Sequence, residues 1–134
     1  MRSYVPLVAR LLLGLIFVMS GITKITGFAG TQEYMASHGI PATAVLLVGA
    51  IVVEVLGGLS IILGLWARVG ATALIFFLIP ATLIFHTDFS QQTQMIMFLK
   101  NLSIMGGLLL VMAFGTGEYY VRALDVGQSD VASA

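Results

Sequence analysis

A carboxylate placed inside a long apolar run is the first feature of this sequence that calls for chemistry. Glu54 stands in Ile51-Val-Val-Glu-Val-Leu-Gly57-Gly58, with further apolar residues on both sides. An isolated ionised carboxylate in hydrocarbon is costly even on lenient insertion scales, so Glu54 needs a cation or a proton. Three basic residues lie in or beside similar runs: Arg10, Lys24 and Lys100, the last followed directly by Asn101. At about 100° per residue, Arg10, Gly14, Phe17, Gly21 and Lys24 share one helical face. Glu54 shares a face with Gly57 and Gly58, and Lys100 shares one with Ser103 and Gly107, with Asn101 beside them. Small residues let helices approach and polar side chains join them, so these faces are expected to turn toward one another. The expected result is a buried cluster of Glu54, Arg10, Lys100 and Asn101. Charges inside a membrane are functional candidates by default. The same cluster could equally serve only to fix helix register, as buried ion pairs sometimes do.

Other polar residues carry less. His86 and Asp88 could relay protons or bind a polar headgroup at a span mouth, though such a pair is more often a solvated loop end. His38 reads as an interfacial residue. A b-type haem would need two histidines facing each other from different spans, and the two histidines here lie near loop ends, so no haem is expected. The absence of cysteine removes disulfides, thiolate metal sites, iron–sulfur ligation and thiol catalysis. No nucleophile–base arrangement, phosphate loop or HExxH metal motif is present, and no metal site is expected.

The elements that must position these residues follow from composition. The 134-residue chain is 59% hydrophobic and 9% charged, whereas ordinary soluble chains carry about 25% charged residues. Lipid is its natural solvent. Zero formal net charge and the lack of a basic run make nucleic acid an unexpected partner. A hydrocarbon core about 30 Å thick asks for roughly 20 apolar residues per helix. Runs near 5–22, 41–65, 69–85 and 95–114 qualify, with Pro80 expected to kink the third. A cleaved leader is disfavoured for the first run because Arg10 interrupts it. The segment 23–40 mixes Gly and polar residues with Phe28, Tyr34 and Met35 and predicts a short amphipathic helix at the interface.

The expected fold is therefore all-α: an integral membrane four-helix bundle of antiparallel up-down spans, with a short interfacial helix between spans one and two. Residues 1–117 would form this domain and 118–134 a polar, disordered tail. Arg2, Arg68 and Arg122 fall on one side with Tyr4, Trp66, Tyr119 and Tyr120, and Lys24 on the other, so both termini are expected in the cytoplasm.

Several strings carry a family resemblance. They are Arg10-Leu-Leu-Leu-Gly-Leu-Ile-Phe17, Ser20-Gly-Ile-Thr-Lys24, Phe28 to Met35 with Gly39-Ile-Pro41, Glu54 followed by Gly-Gly, Leu63-Gly-Leu-Trp-Ala-Arg68, Phe85-His86, and Lys100-Asn101 followed by Gly106-Gly107. In order and spacing, from about Val8 to Gly117, the chain resembles the DoxX family of small bacterial membrane proteins, nearest its YqjF-like branch. The resemblance implies a four-helix protein of the bacterial inner (plasma) membrane. It also implies redox chemistry, because the family includes the DoxD-type small subunit of a thiosulfate:quinone oxidoreductase.

On this basis the expected function is an accessory subunit of a membrane oxidoreductase that binds a quinone or small redox substrate. Glu54 would be the catalytic residue, and Arg10, Lys100, Asn101, Lys24 and His86 would contact substrate. No intrinsic cofactor is expected; electrons would come through a quinone or an oxidoreductase partner subunit. The small-residue faces would also allow a homodimer, and membrane lipid is a partner in any case. Two other functions fit the same residues: a small proton-coupled transporter or channel with Glu54 as its coupling site, and a non-catalytic assembly or packing protein.

Overall fold

The computed structural model describes residues 4–117 together with 119 and 120. Within them the chain is entirely helical: α1 (Tyr4–Thr26), α2 (Phe28–Ser37), α3 (Thr43–Leu63), α4 (Ala67–Phe85) and α5 (Gln92–Phe114). Four of these, α1, α3, α4 and α5, are long and apolar enough to cross a membrane, and α2 is the short helix expected between the first two spans. With no water in hydrocarbon to satisfy backbone groups, uninterrupted helices are the form such runs must take. The expected tail, apart from Tyr119 and Tyr120, lies outside the described residues, as do Arg2 and Arg122.

The helix borders shift two expectations. Helix α1 continues through Lys24, which therefore projects from a regular last turn rather than from a loop. Helix α4 runs unbroken through Pro80. Thr72 Oγ1 bonds back to the Arg68 carbonyl at 2.8 Å, while the hydroxyl of the buried Thr82 accepts from Asn101.

Span α1 packs closely on α3, α3 on α4, and α4 on α5, whereas α1 and α5 barely touch. Glycine explains the first seam. A Cβ on Gly14 would lie 2.7 Å from the Gly58 carbonyl oxygen, and one on Gly58 would lie 2.9 Å from the Gly14 carbonyl oxygen. The two backbones are in contact there, which no larger residue permits. Phe17, Ile61, Ala71, Leu74, Leu78, Leu108 and Val111 fill the centre of the bundle.

The α3–α4 turn is tight. Gly64 caps α3 at φ 73°, Leu65 N–H reaches the Ser60 carbonyl at 2.9 Å, and Trp66 also takes a left-handed φ of 56°. The Ser60 hydroxyl donates to the Leu65 carbonyl at 2.5 Å, holding this turn together.

Candidate functional site

The carboxylate of Glu54 is met by Lys24. Nζ of Lys24 lies 2.8 Å from Glu54 Oε1, with the Glu54 side chain 2% exposed and that of Lys24 26% exposed. Lys24 Nζ also donates to Ser20 Oγ one turn back, at 2.8 Å. Gly21 makes the pairing possible: a Cβ there would sit 2.5 Å from Val55 Cγ2, so α1 can press against α3 at the level of Glu54. The lysine then bends inward from the last turn of α1, where the helix dipole also favours a cation. The Lys24–Glu54 contact is a buried ion pair made through Oε1, and Glu54 Oε2 has no hydrogen-bond donor among the described residues. A buried acceptor in this condition is an open valence for a ligand.

The pair faces a cavity of about 450 Å³ between the spans, covered at one end by α2. Most of its wall is apolar, from Phe17, Leu47, Phe77, Leu78, Ile84 and others, and Ser20, Lys24, Glu54, Asn101, Thr31, Tyr34 and His86 supply the polar points. Asn101 Nδ2 donates to Thr82 Oγ1 at 2.9 Å, which fixes the amide against α4. His86 Nδ1 lies 3.0 Å from the Gln94 side-chain amide. At the same end Tyr34 stacks on Phe85, ring centroids 5.2 Å apart, which seats α2 on α4. A mostly apolar cavity with a few convergent polar groups is the usual form of a small-molecule site.

Four of the expected site residues, Glu54, Lys24, Asn101 and His86, thus line one cavity. The expected grouping of Glu54 with Arg10 and Lys100 is overturned. Arg10 shares the α1 face with Lys24 but lies fourteen residues earlier, roughly 21 Å along the axis; a shared face says nothing about height. Arg10 is buried at the opposite end of the bundle. There its Nη2 donates to the Tyr119 carbonyl, and its Nη1 lies against Gly64. Lys100 is exposed on α5, because the side of α5 turned to the bundle is that of Asn101, Ile104, Leu108 and Val111. The pairing of Lys24 with Glu54 was hidden by the lysine's place at a span end. Its signal was the Gly21–Lys24 face, on a side chain long enough to reach inward.

Arg68, at the same end as Arg10, donates through Nη1 to the carbonyls of Met112 and Ala113 at 3.2 and 3.0 Å, covering the C-terminus of α5. Tyr4 stacks on Tyr119 at 5.0 Å, joining the two ends of the described chain. Asp88 accepts from the Ser90 backbone N–H at 3.3 Å and stays exposed in the α4–α5 loop, and His38 is an exposed neighbour of Tyr34.

Comparison with known proteins now has a geometry to refer to. The chain is 41% identical over 118 residues to Inner membrane protein YqjF of Escherichia coli, covering 88% of this chain and 89% of that protein. It is 37% identical over 121 residues to Inner membrane protein YphA of the same organism, covering 87% and 86%. A shorter likeness, 33% over 63 residues, or 47% of this chain and 46% of the other, is to the Bacillus subtilis protein CatD, whose name gives it a provisional assignment as an oxidoreductase. No solved structure matches. The family model named DoxX matches residues 5–87, a stretch holding α1 to α4 and with them Lys24, Glu54 and His86, and this chain belongs to the DoxX family.

Proposed function

We propose that this DoxX-family membrane protein binds a quinone or a similar small redox substrate in the Lys24–Glu54 cavity, as the accessory subunit of a membrane oxidoreductase. The observation that carries the reading is the buried ion pair with unfilled acceptor positions set in an otherwise apolar cavity. A quinone head is a flat apolar ring with carbonyl acceptors on opposite edges, and Lys24 and Asn101 are donors on different walls of a space of that character. Reduction of a quinone takes up two electrons and two protons. Glu54 would take up a proton when Lys24 shifts its contact to a carbonyl oxygen and hand it to the reduced quinone, the second proton being drawn from water. Electrons would come from a partner, since the chain has no cysteine to ligate an iron–sulfur cluster and its two histidines near loop ends are not expected to hold a haem. The name of CatD agrees with redox chemistry, and those of YqjF and YphA with a bacterial inner-membrane location.

The test is purification in mild detergent followed by solvent extraction and quantification of quinone. Wild type should retain quinone or bind added short-chain benzoquinone, and Glu54→Gln should bind it more weakly. Failure of the wild-type protein to bind either, together with proton-coupled solute flux in liposomes, would replace this reading by a transporter. Both ends of the described chain lie at the Arg10–Arg68 end of the bundle, and we place that end in the cytoplasm; a cytoplasm-active reporter fused to the C-terminus should be active.

A further inference from the structure

The cavity is not sealed along the α1–α5 seam. These two spans barely touch, and between them, from Val5, Ala9 and Leu12 on α1 to Gly107, Leu110 and Phe114 on α5, runs a second groove of about 640 Å³. Ile16 and Ile104 line both spaces, so the two adjoin at these residues. Its wall is hydrocarbon apart from Ser103, Arg10 and backbone. Arg10 donates through Nη2 to the Tyr119 carbonyl and packs against Gly64, and its buried Nε and Nη1 have no hydrogen-bond partner among the described residues. Gly107 keeps the α5 wall low: a Cβ there would meet Leu13 of α1 only at 3.4 Å, an ordinary contact. From Ile16 to Val5 the groove follows α1 for roughly 17 Å, along the direction of the membrane normal.

We infer that the ligand is an amphiphile that enters from the bilayer between α1 and α5, its polar head at Lys24–Glu54 and its hydrocarbon tail along the α1–α5 groove. This rests on the quinone-type reading of the cavity and narrows it to a prenyl-tailed quinone rather than a water-soluble redox molecule. The adjacency of the two spaces at Ile16 and Ile104 carries the inference, because a head seated in the cavity has the groove as its neighbouring apolar space. Since bilayer lipid is as apolar as the groove, the tail gains little transfer energy there. Its role is to set the route and orientation of the head, and blocking the groove acts by exclusion.

The experiment uses the full-length protein in lipid nanodiscs with two photoreactive benzoquinones. One is farnesyl-tailed with a diazirine at the tail end; the other has no tail and carries the diazirine on the ring. The ring probe should label peptides around Lys24 and Glu54, and the tail probe those of 5–13 and 107–114. Gly107→Leu should reduce tail-probe labelling by about tenfold or more, a change of about 1.4 kcal/mol, while ring-probe labelling stays at wild-type level. Ser103→Leu, at another height of the same wall, should act in the same direction if Gly107→Leu folds poorly. Ring labelling at Glu54 with tail labelling spread over other faces of the bundle would overturn the groove and leave the cavity reading intact. No ring labelling at the cavity would overturn both.

Discussion

The two ends of this bundle hold buried or half-buried cations in opposite ways. At the α2 end Lys24 is matched to a carboxylate from another span, and the pair looks into an open cavity. At the other end Arg10 and Arg68 are matched to backbone carbonyls of Tyr119, Met112 and Ala113, and they tie the exit of α5 to the start of α1 and α4. A cation held by carbonyls joins segments of chain. A cation held by a carboxylate with unfilled acceptors can trade that contact for a ligand. The contrast teaches that depth in the membrane alone does not mark a site; the nature of the counter-group does.

The largest effect should come from breaking the carboxylate pair on one side. Lys24→Met strands a carboxylate that is 2% exposed, and removing one partner of a buried pair costs about 3 to 5 kcal/mol in soluble proteins. The double change Lys24→Met with Glu54→Gln should recover most of that loss in a thermal or denaturant titration in detergent. A double variant as unstable as the single one would mean the pair is not the dominant contact of either residue.

Next in size is Gly64→Ala at the opposite end. Its φ of 73° is left-handed, and a Cβ there would collide with the Arg10 Nη1 and Tyr120 Cβ. The backbone conformation alone costs roughly 1 to 2 kcal/mol, and the displaced guanidinium adds to it. If Gly64→Ala folds like wild type, the Arg10 end is looser than described. Asn101→Leu should cost about 0.6 to 1 kcal/mol, the usual worth of a side-chain hydrogen bond between spans, and should weaken quinone binding more than that. Smallest of all, Arg10→Met should change stability by less than about 1 kcal/mol, since the lost hydrogen bond to the Tyr119 carbonyl is offset by removing a buried cation with unpaired donors. A large loss in Arg10→Met with a small one in Lys24→Met would invert the comparison.

Much of this was legible in the sequence because hydropathy and glycine spacing report directly on what lipid and close packing demand. The run near 41–65 became Thr43–Leu63, and the inward faces Arg10–Gly14–Phe17–Gly21 and Glu54–Gly57–Gly58 are buried as expected. Helix α5 was misread. It is apolar nearly all round, so its few polar residues, rather than its packing, suggested a face, and Lys100 was turned inward when Asn101 in fact is. The cation for Glu54 was misassigned because periodicity fixes azimuth and not axial height. Arg10 and Lys24 are equivalent on a helical wheel and stand at opposite ends of the bundle.

The central claim is that the Lys24–Glu54 pair contacts the ligand's polar head and the arginines do not. Difference infrared spectroscopy of the protein in nanodiscs, on adding short-chain benzoquinone, tests it most directly. The account predicts a perturbed carboxylate band that disappears in Glu54→Gln and persists in Arg10→Met. A carboxylate band that benzoquinone leaves unchanged in the wild-type protein would contradict it.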